Sequence, residues 1–421
     1  MSGVYDSGMR MRVAATLLAV VALVVPRSPG AQPVPPTAHR SPLSGPWRAT
    51  LDLAGGPLRF SIDLQQPGHA WKGRLCNGDR CSDFSAVRVS ADSVTLELAD
   101  YAAGIYARLS ADSLVGEYRN VGSRGLRVIP FRAARGEWPI ERGPTDLLGR
   151  WDAEFFGEWG TSPRVFEFRN GPRGFEGTII SNSGDYGHFW GHAPADSFSL
   201  AHFDGSFVYM LTGKLDGDTL RGTFHAGLRT QTHWKAVRSS GRPHLKAPTD
   251  VTRADTTAPF RFSFTDLEGR VLTQEDPRLR GKVVLLDIFG TWCPTCHDAV
   301  PTLVRLWRKY HDQGLEILGV AFEVTGDTAV DGALVRRYRD KFDIPFPLLL
   351  GGVSDPQEVA AALPQLEGFG AFPTTVFLGR DGKVKRVQAG FYGPATGRQH
   401  EILVEEVERE VQRLLGGSQG Q

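Results

Sequence analysis

Cysteine is scarce in this chain, with four among 421 residues, too few for a fold built on disulfides. Neither sign of charge dominates: 48 Lys and Arg stand against 47 Asp and Glu, a net charge of +1. That leaves no basic field for nucleic acid or acidic membranes, so no nucleic-acid partner is expected. Beyond residue 25 there is no long apolar run, and nothing there reads as a bilayer-spanning helix. Glycine and proline are plentiful instead, at 49 and 27, which implies many turns without reaching low-complexity composition. At roughly 150 residues per domain the length corresponds to about three units.

Arg10 and Arg12 precede the apolar run 13–25, and Pro26, Arg27, Gly30 and Ala31 follow it. That order predicts a secretory signal over 1–31, export, and cleavage near Ala31. An uncleaved anchor is the alternative, although the run is short of the roughly 20 residues a span needs. A Pro-rich spacer occupies 32–43.

The chain then matches itself at an offset of 104 residues. Leu43, Gly45, Trp47, Gly73, Ala91, Asp92, Ser93 and Leu96 fall on Leu147, Gly149, Trp151, Gly177, Ala195, Asp196, Ser197 and Leu200. Two duplicated units, 44–136 and 147–238, are the reading. Both are expected to be all-β, because apolar residues alternate at Leu58, Phe60, Ile62, Leu64 and again at Val94, Leu96, Leu98. Many successive strands without a helix suggest a closed up-and-down barrel or a curved sandwich. The Gly-x-Trp opening resembles that of lipocalin-like barrels, with Trp47 and Trp151 as core plugs.

A linker of Ser, Gly, Pro and Thr covers 239–257. From 258 to 417 the pattern alternates β and α. A doubly buried strand spans 283–289 and a helix starts at Pro294, with Val300, Leu303, Val304, Trp307 and Tyr310 on one face. Strands follow at 315–322 and 345–350, a helix at 329–341, a hairpin at 374–387 and a closing helix carrying Leu403, Val407, Val411 and Leu414.

The four cysteines form two close pairs. Cys293 and Cys296 lie in Trp292-Cys293-Pro294-Thr295-Cys296, between a buried strand and a helix start, the context of a redox dithiol. Backbone N–H groups and the helix dipole there favour a thiolate on Cys293, the expected nucleophile. Cys296, one turn in, would resolve the mixed disulfide. A zinc knuckle or a structural bond is the alternative. Asp287, in the middle of the buried strand, needs a partner or a proton to trade, and a place beneath the dithiol would let it take the proton of Cys296. Cys76 and Cys81 flank a turn, where a structural disulfide is expected; a second redox site or a captive substrate of the other pair are the alternatives.

Residues 258–417 resemble the thioredoxin superfamily of the extracytoplasmic TlpA-like type, and Trp-Cys-Pro-Thr-Cys is also the active-site string of cytochrome c-maturation thiol reductases. The resemblance implies that Asp287 is the buried acid, Pro301 the helix-kinking proline and Pro373 the cis-proline facing the dithiol. It leaves the Phe372 backbone to pair with an extended client, with Thr374, Pro294 and Thr295 beside it. TlpA-like proteins often lack an acid where Asp287 stands, and there this chain is closer to general thioredoxins. Glu323 lies where related reductases carry an acid near the dithiol.

The expected function is an extracytoplasmic thiol:disulfide oxidoreductase that reduces client disulfides through its Cys-Pro-Thr-Cys dithiol without a bound cofactor, oxidation or isomerisation being the alternative direction. Its implied partners are disulfide-containing extracytoplasmic proteins and a membrane thiol-transfer electron donor. One alternative is a peroxiredoxin-like peroxidase, opposed by Gly290 where that family has Thr. Another is a binding protein whose β units hold a ligand while the dithiol acts as a switch. Of the eleven histidines, His188, His192, His202, His225 and His233 fall in the second β unit. With no Cys or clear carboxylate cluster alongside, they read as solvated or core residues, and no metal site is expected.

Overall fold

The computed structural model describes residues 43–122, 125–158 and 160–417. The signal sequence and nearly all of the spacer lie outside the described residues. Among the described residues no helix is long and apolar enough to cross a membrane.

The first β region is an antiparallel meander of nine strands, from Gly45–Leu53 to Gly125–Arg135. Alternation places Trp47, Ala49, Leu51, Leu58, Phe60, Ile62 and Leu64 inside. Of the two expected forms, a fully closed barrel is not the one found here. The end strands Arg80–Asp83 and Ala86–Ser90 do not pair with each other, so the sheet is an open half-barrel. Its core is completed by Ala201, Phe203, Val208 and Met210 from the second region, with Phe203 edge-on to Phe60 and Tyr118. Burial of those side chains in a shared core covers apolar surface that ring closure would otherwise have to enclose.

The second region does close. Its strands run from Gly149–Gly157 to Thr230–Arg238, and Gly149–Gly157 pairs with both Gly160–Gly171 and Thr230–Arg238. Pairing of Gly160–Gly171 with Gly174–Ser181 completes the ring. Trp47 and Trp151 sit alike: each is buried, donates its indole N–H to the carbonyl four residues back, and lies under an arginine, Arg135 or Arg238.

The segment expected to be a plain linker is partly ordered. Pro248–Val251 is a helical turn, and Arg253–Ala254 pairs with Leu366–Glu367. The chain then forms a seven-stranded mixed sheet in the order Val271–Thr273, Ser263–Asp266, Leu348–Val353, Leu315–Glu323, Val283–Phe289, Thr374–Leu378, Val384–Ala389. The three central strands are parallel. The strand expected at 345–350 starts later, at Leu348, because Pro345 and Pro347 cannot donate to a ladder. Helices Pro294–Tyr310 and Arg398–Gly416 pack on one face through Val300, Leu303, Val304, Leu403, Val407, Val411 and Leu414. Pro356–Ala362 covers the other face through Val359.

Candidate active site

Strand Val283–Phe289 is buried along its whole length, and it delivers the next residues to the start of helix Pro294–Tyr310. Cys293 takes the N-cap position with extended backbone and Pro294 follows as the first helical residue. Cys293 and Cys296 are free thiols, 3% and 1% exposed. The Cys293 thiol donates to the Phe372 carbonyl at 3.6 Å. Burial above all, then the hydrogen bond and charge of Cys293 and the charge of Asp287, push the Cys296 thiol well above its ordinary range.

Asp287 is buried and accepts a 2.8 Å hydrogen bond from Thr375 Oγ1. Burial raises its carboxyl to about 7, against the opposing pull of that bond. Glu323 is buried as well. It accepts from Thr291 N at 2.8 Å and Thr291 Oγ1 at 2.7 Å, and burial raises it to about 7. Trp292 donates its indole N–H to Phe322 O at 2.9 Å and meets Phe372 edge-on. A Cβ on Gly290 would lie 2.2 Å from Trp292 Nε1 and 2.8 Å from Phe322 O, so only glycine leaves room for this bond.

The Phe372–Pro373 peptide is cis and lies beside the dithiol. Thr374, the next residue, is fully buried, and its hydroxyl donates to Ala371 O at 2.8 Å. Pro294 and Thr295 line a cavity of about 730 Å³ between the β regions and the C-terminal domain, with Cys81 and Tyr101 also on its wall.

The β regions cover this site. Ser206 Oγ donates to Trp292 O at 2.8 Å, and Thr295 Oγ1 donates to Asp185 O at 3.5 Å. Tyr101 stacks on His297, with its hydroxyl 3.2 Å from Nδ1, while His297 Nε2 lies 2.8 Å from Thr291 O. Burial lowers His297 to about 4. Asp298 faces Asp185 and Asp204, and burial followed by those two charges lifts its carboxyl to about 8. None of these covering residues carried a sequence signal, because each acquires its neighbour only through domain packing. Cys76 and Cys81 are disulfide-bonded across a hairpin.

A family model described as Redoxin matches residues 253–397. Thiol-disulfide oxidoreductase ResA of Geobacillus thermodenitrificans is 33% identical over 144 residues, covering 34% of this chain and 74% of that protein. The chain belongs to the ResA-like thiol-disulfide oxidoreductases of the thioredoxin superfamily. ResA of Bacillus anthracis is 32% identical over 123 residues, 29% of this chain and 62% of its own. A thioredoxin-family thiol:disulfide interchange protein of Chlorobium tepidum is similar at 22% identity, over 39% of this chain and 99% of that chain, with a TM-score of 0.30. The two β regions lie outside the stretch matched by the family model.

Proposed function

We propose that this ResA-like oxidoreductase works outside the cytoplasm as a reductase of disulfides in client proteins. The observation that supports the mechanism is a buried Cys296 one turn into the helix that starts after Cys293, with a buried carboxyl, Asp287, on the strand that leads into it. The Cys293 thiolate attacks a client disulfide, and one client sulfur leaves as a thiolate. Asp287 takes the proton of Cys296, whose thiolate attacks Cys293 Sγ. The client leaves as a dithiol, reduced by two electrons, and Cys293–Cys296 becomes the disulfide. A membrane thiol-transfer donor would return the two electrons. The cis-Pro373 strand offers the Phe372 backbone to an extended client chain.

The Cys76–Cys81 disulfide supports an oxidising compartment, as does the signal-like leader. The like placement of Trp47 and Trp151 supports duplication of the β units. The test is the reduction potential of Cys293/Cys296 in the full chain, read by alkylation and mass after equilibration in thiol buffers. A value at or below roughly −230 mV is expected; one of roughly −120 to −180 mV would instead make the protein an oxidant or isomerase.

A further inference from the structure

Away from the dithiol, Asp79, Glu176 and His188 bring one ligand atom each to within 4.8 Å of one another. They come from three places: the Cys76–Cys81 hairpin, strand Gly174–Ser181 and the segment before strand Phe189–His192. Both nitrogens of His188 and Oε2 of Glu176 are buried without a hydrogen-bond partner among the described residues. The two residues are only 6% and 4% exposed. A buried imidazole with neither nitrogen satisfied is costly unless something binds it. His188 Nε2 lies 3.4 Å from Glu176 Oε2 and 3.9 Å from Asp79 Oδ1. Metal–ligand bonds of about 2.0–2.2 Å give tetrahedral edges of about 3.3–3.6 Å, so the first separation already has that size and the second is slightly wider.

We propose that Asp79, Glu176 and His188 form a site for a divalent transition metal ion, zinc by its donor set, which clasps the disulfide hairpin of the first β region to the second. One imidazole and two carboxylates, with no thiolate, suit zinc. Arg169 Nε donates to Glu176 Oε1 at 2.6 Å, orienting the carboxylate and leaving Oε2 free toward His188. Arg80 is the competing cation, with Nε 3.7 Å from Asp79 Oδ1. The hairpin is seated for the task. Asn77 exchanges hydrogen bonds with Phe203, and Gly78, at φ +64, lets the turn lie on Trp190, where a Cβ would come within 2.8 Å of the indole ring. His188 also lines the large cavity, which gives an ion and a completing water a way in.

The test uses the full chain with Cys293 and Cys296 held as a disulfide, so that no thiolate competes for metal. After treatment with a chelator it is titrated with zinc chloride. Uptake of one zinc per chain is expected, weakened about 10–100-fold or more by His188→Gln, Glu176→Gln and Asp79→Asn. Cobalt in place of zinc should give a tetrahedral visible spectrum without a sulfur charge-transfer band. Asp79 is on an exposed, disulfide-closed turn, so Asp79→Asn keeps the test decisive if the buried variants fail to fold. No uptake by the oxidised chain, or uptake unchanged in Asp79→Asn, overturns the site and leaves Arg80 as the partner of Asp79.

Discussion

In the mechanism proposed above, the resolving step turns on a single carboxyl group, that of Asp287. Its burial raises it to about 7, so near neutral pH it divides between an acid and a base. The sign follows directly: below about 7 it is protonated and cannot accept from Cys296, and above about 7 it can. The resolving step should therefore speed up as pH rises through about 7. Asp287→Asn, which keeps the Thr375 contact but not the base, should slow resolution about 10²-fold or more and remove that inflection. Quenched-flow trapping of the mixed disulfide with a model client measures it; an unchanged pH profile would remove Asp287 from the step. Asp287 was legible in the sequence because a carboxylate inside an apolar strand has few reasons to be there. Glu323 was legible only as a position, since the strand that carries it ends at that residue and the pattern cannot tell a buried end from a solvated one. Thr374 was legible only through its neighbour Pro373; the Ala371 carbonyl that its hydroxyl meets was not.

Among the elements, the strand–loop–helix unit from Val283 to Tyr310 places both cysteines. The apolar run 283–289 and Pro294 at the helix start are local signals, and the structure has both elements at those positions. The loop between them depends on a contact that is not local, the bond from Trp292 to Phe322 O on the neighbouring strand. Gly290→Ala should push the indole away and destabilise the domain by about 1–3 kcal/mol, as overpacking does. Urea unfolding measures the loss; an unshifted midpoint would mean the loop yields without strain. The same contact explains why a Thr at 290, as a peroxidase of this fold would carry, does not fit beside Trp292. Whether each β region is a closed barrel or an open curved sheet was not legible at this scale, because alternation reveals strands and their inner face, while closure depends on which edges meet.

Across the whole molecule, the β regions stand over the dithiol. Cys293 is 3% exposed, and the residues beside it are held from both β regions, Trp292 by Ser206 of the second and His297 by Tyr101 of the first. A client must displace that cover before a thiolate can attack its disulfide. Removing the Ser206–Trp292 hydrogen bond with Ser206→Ala takes away about 1 kcal/mol of docking, so alkylation of Cys293 by iodoacetamide should rise about fivefold at fixed pH. An unchanged rate would show that access does not run through this contact.

The sequence by itself determined the alternating strands, the mixed α/β end of the chain, the dithiol at a helix start and the acid on the buried strand before it, because each is written in neighbouring residues and short periods. Only the tertiary structure decided that one β region closes and the other borrows its neighbour's core, that both shelter the dithiol, and that Asp79, Glu176 and His188 converge. Most of those outcomes depend on contacts between separate parts of the chain, such as Phe60 with Phe203 and Tyr101 with His297, and a sequence pattern carries no record of which faces will be buried against each other.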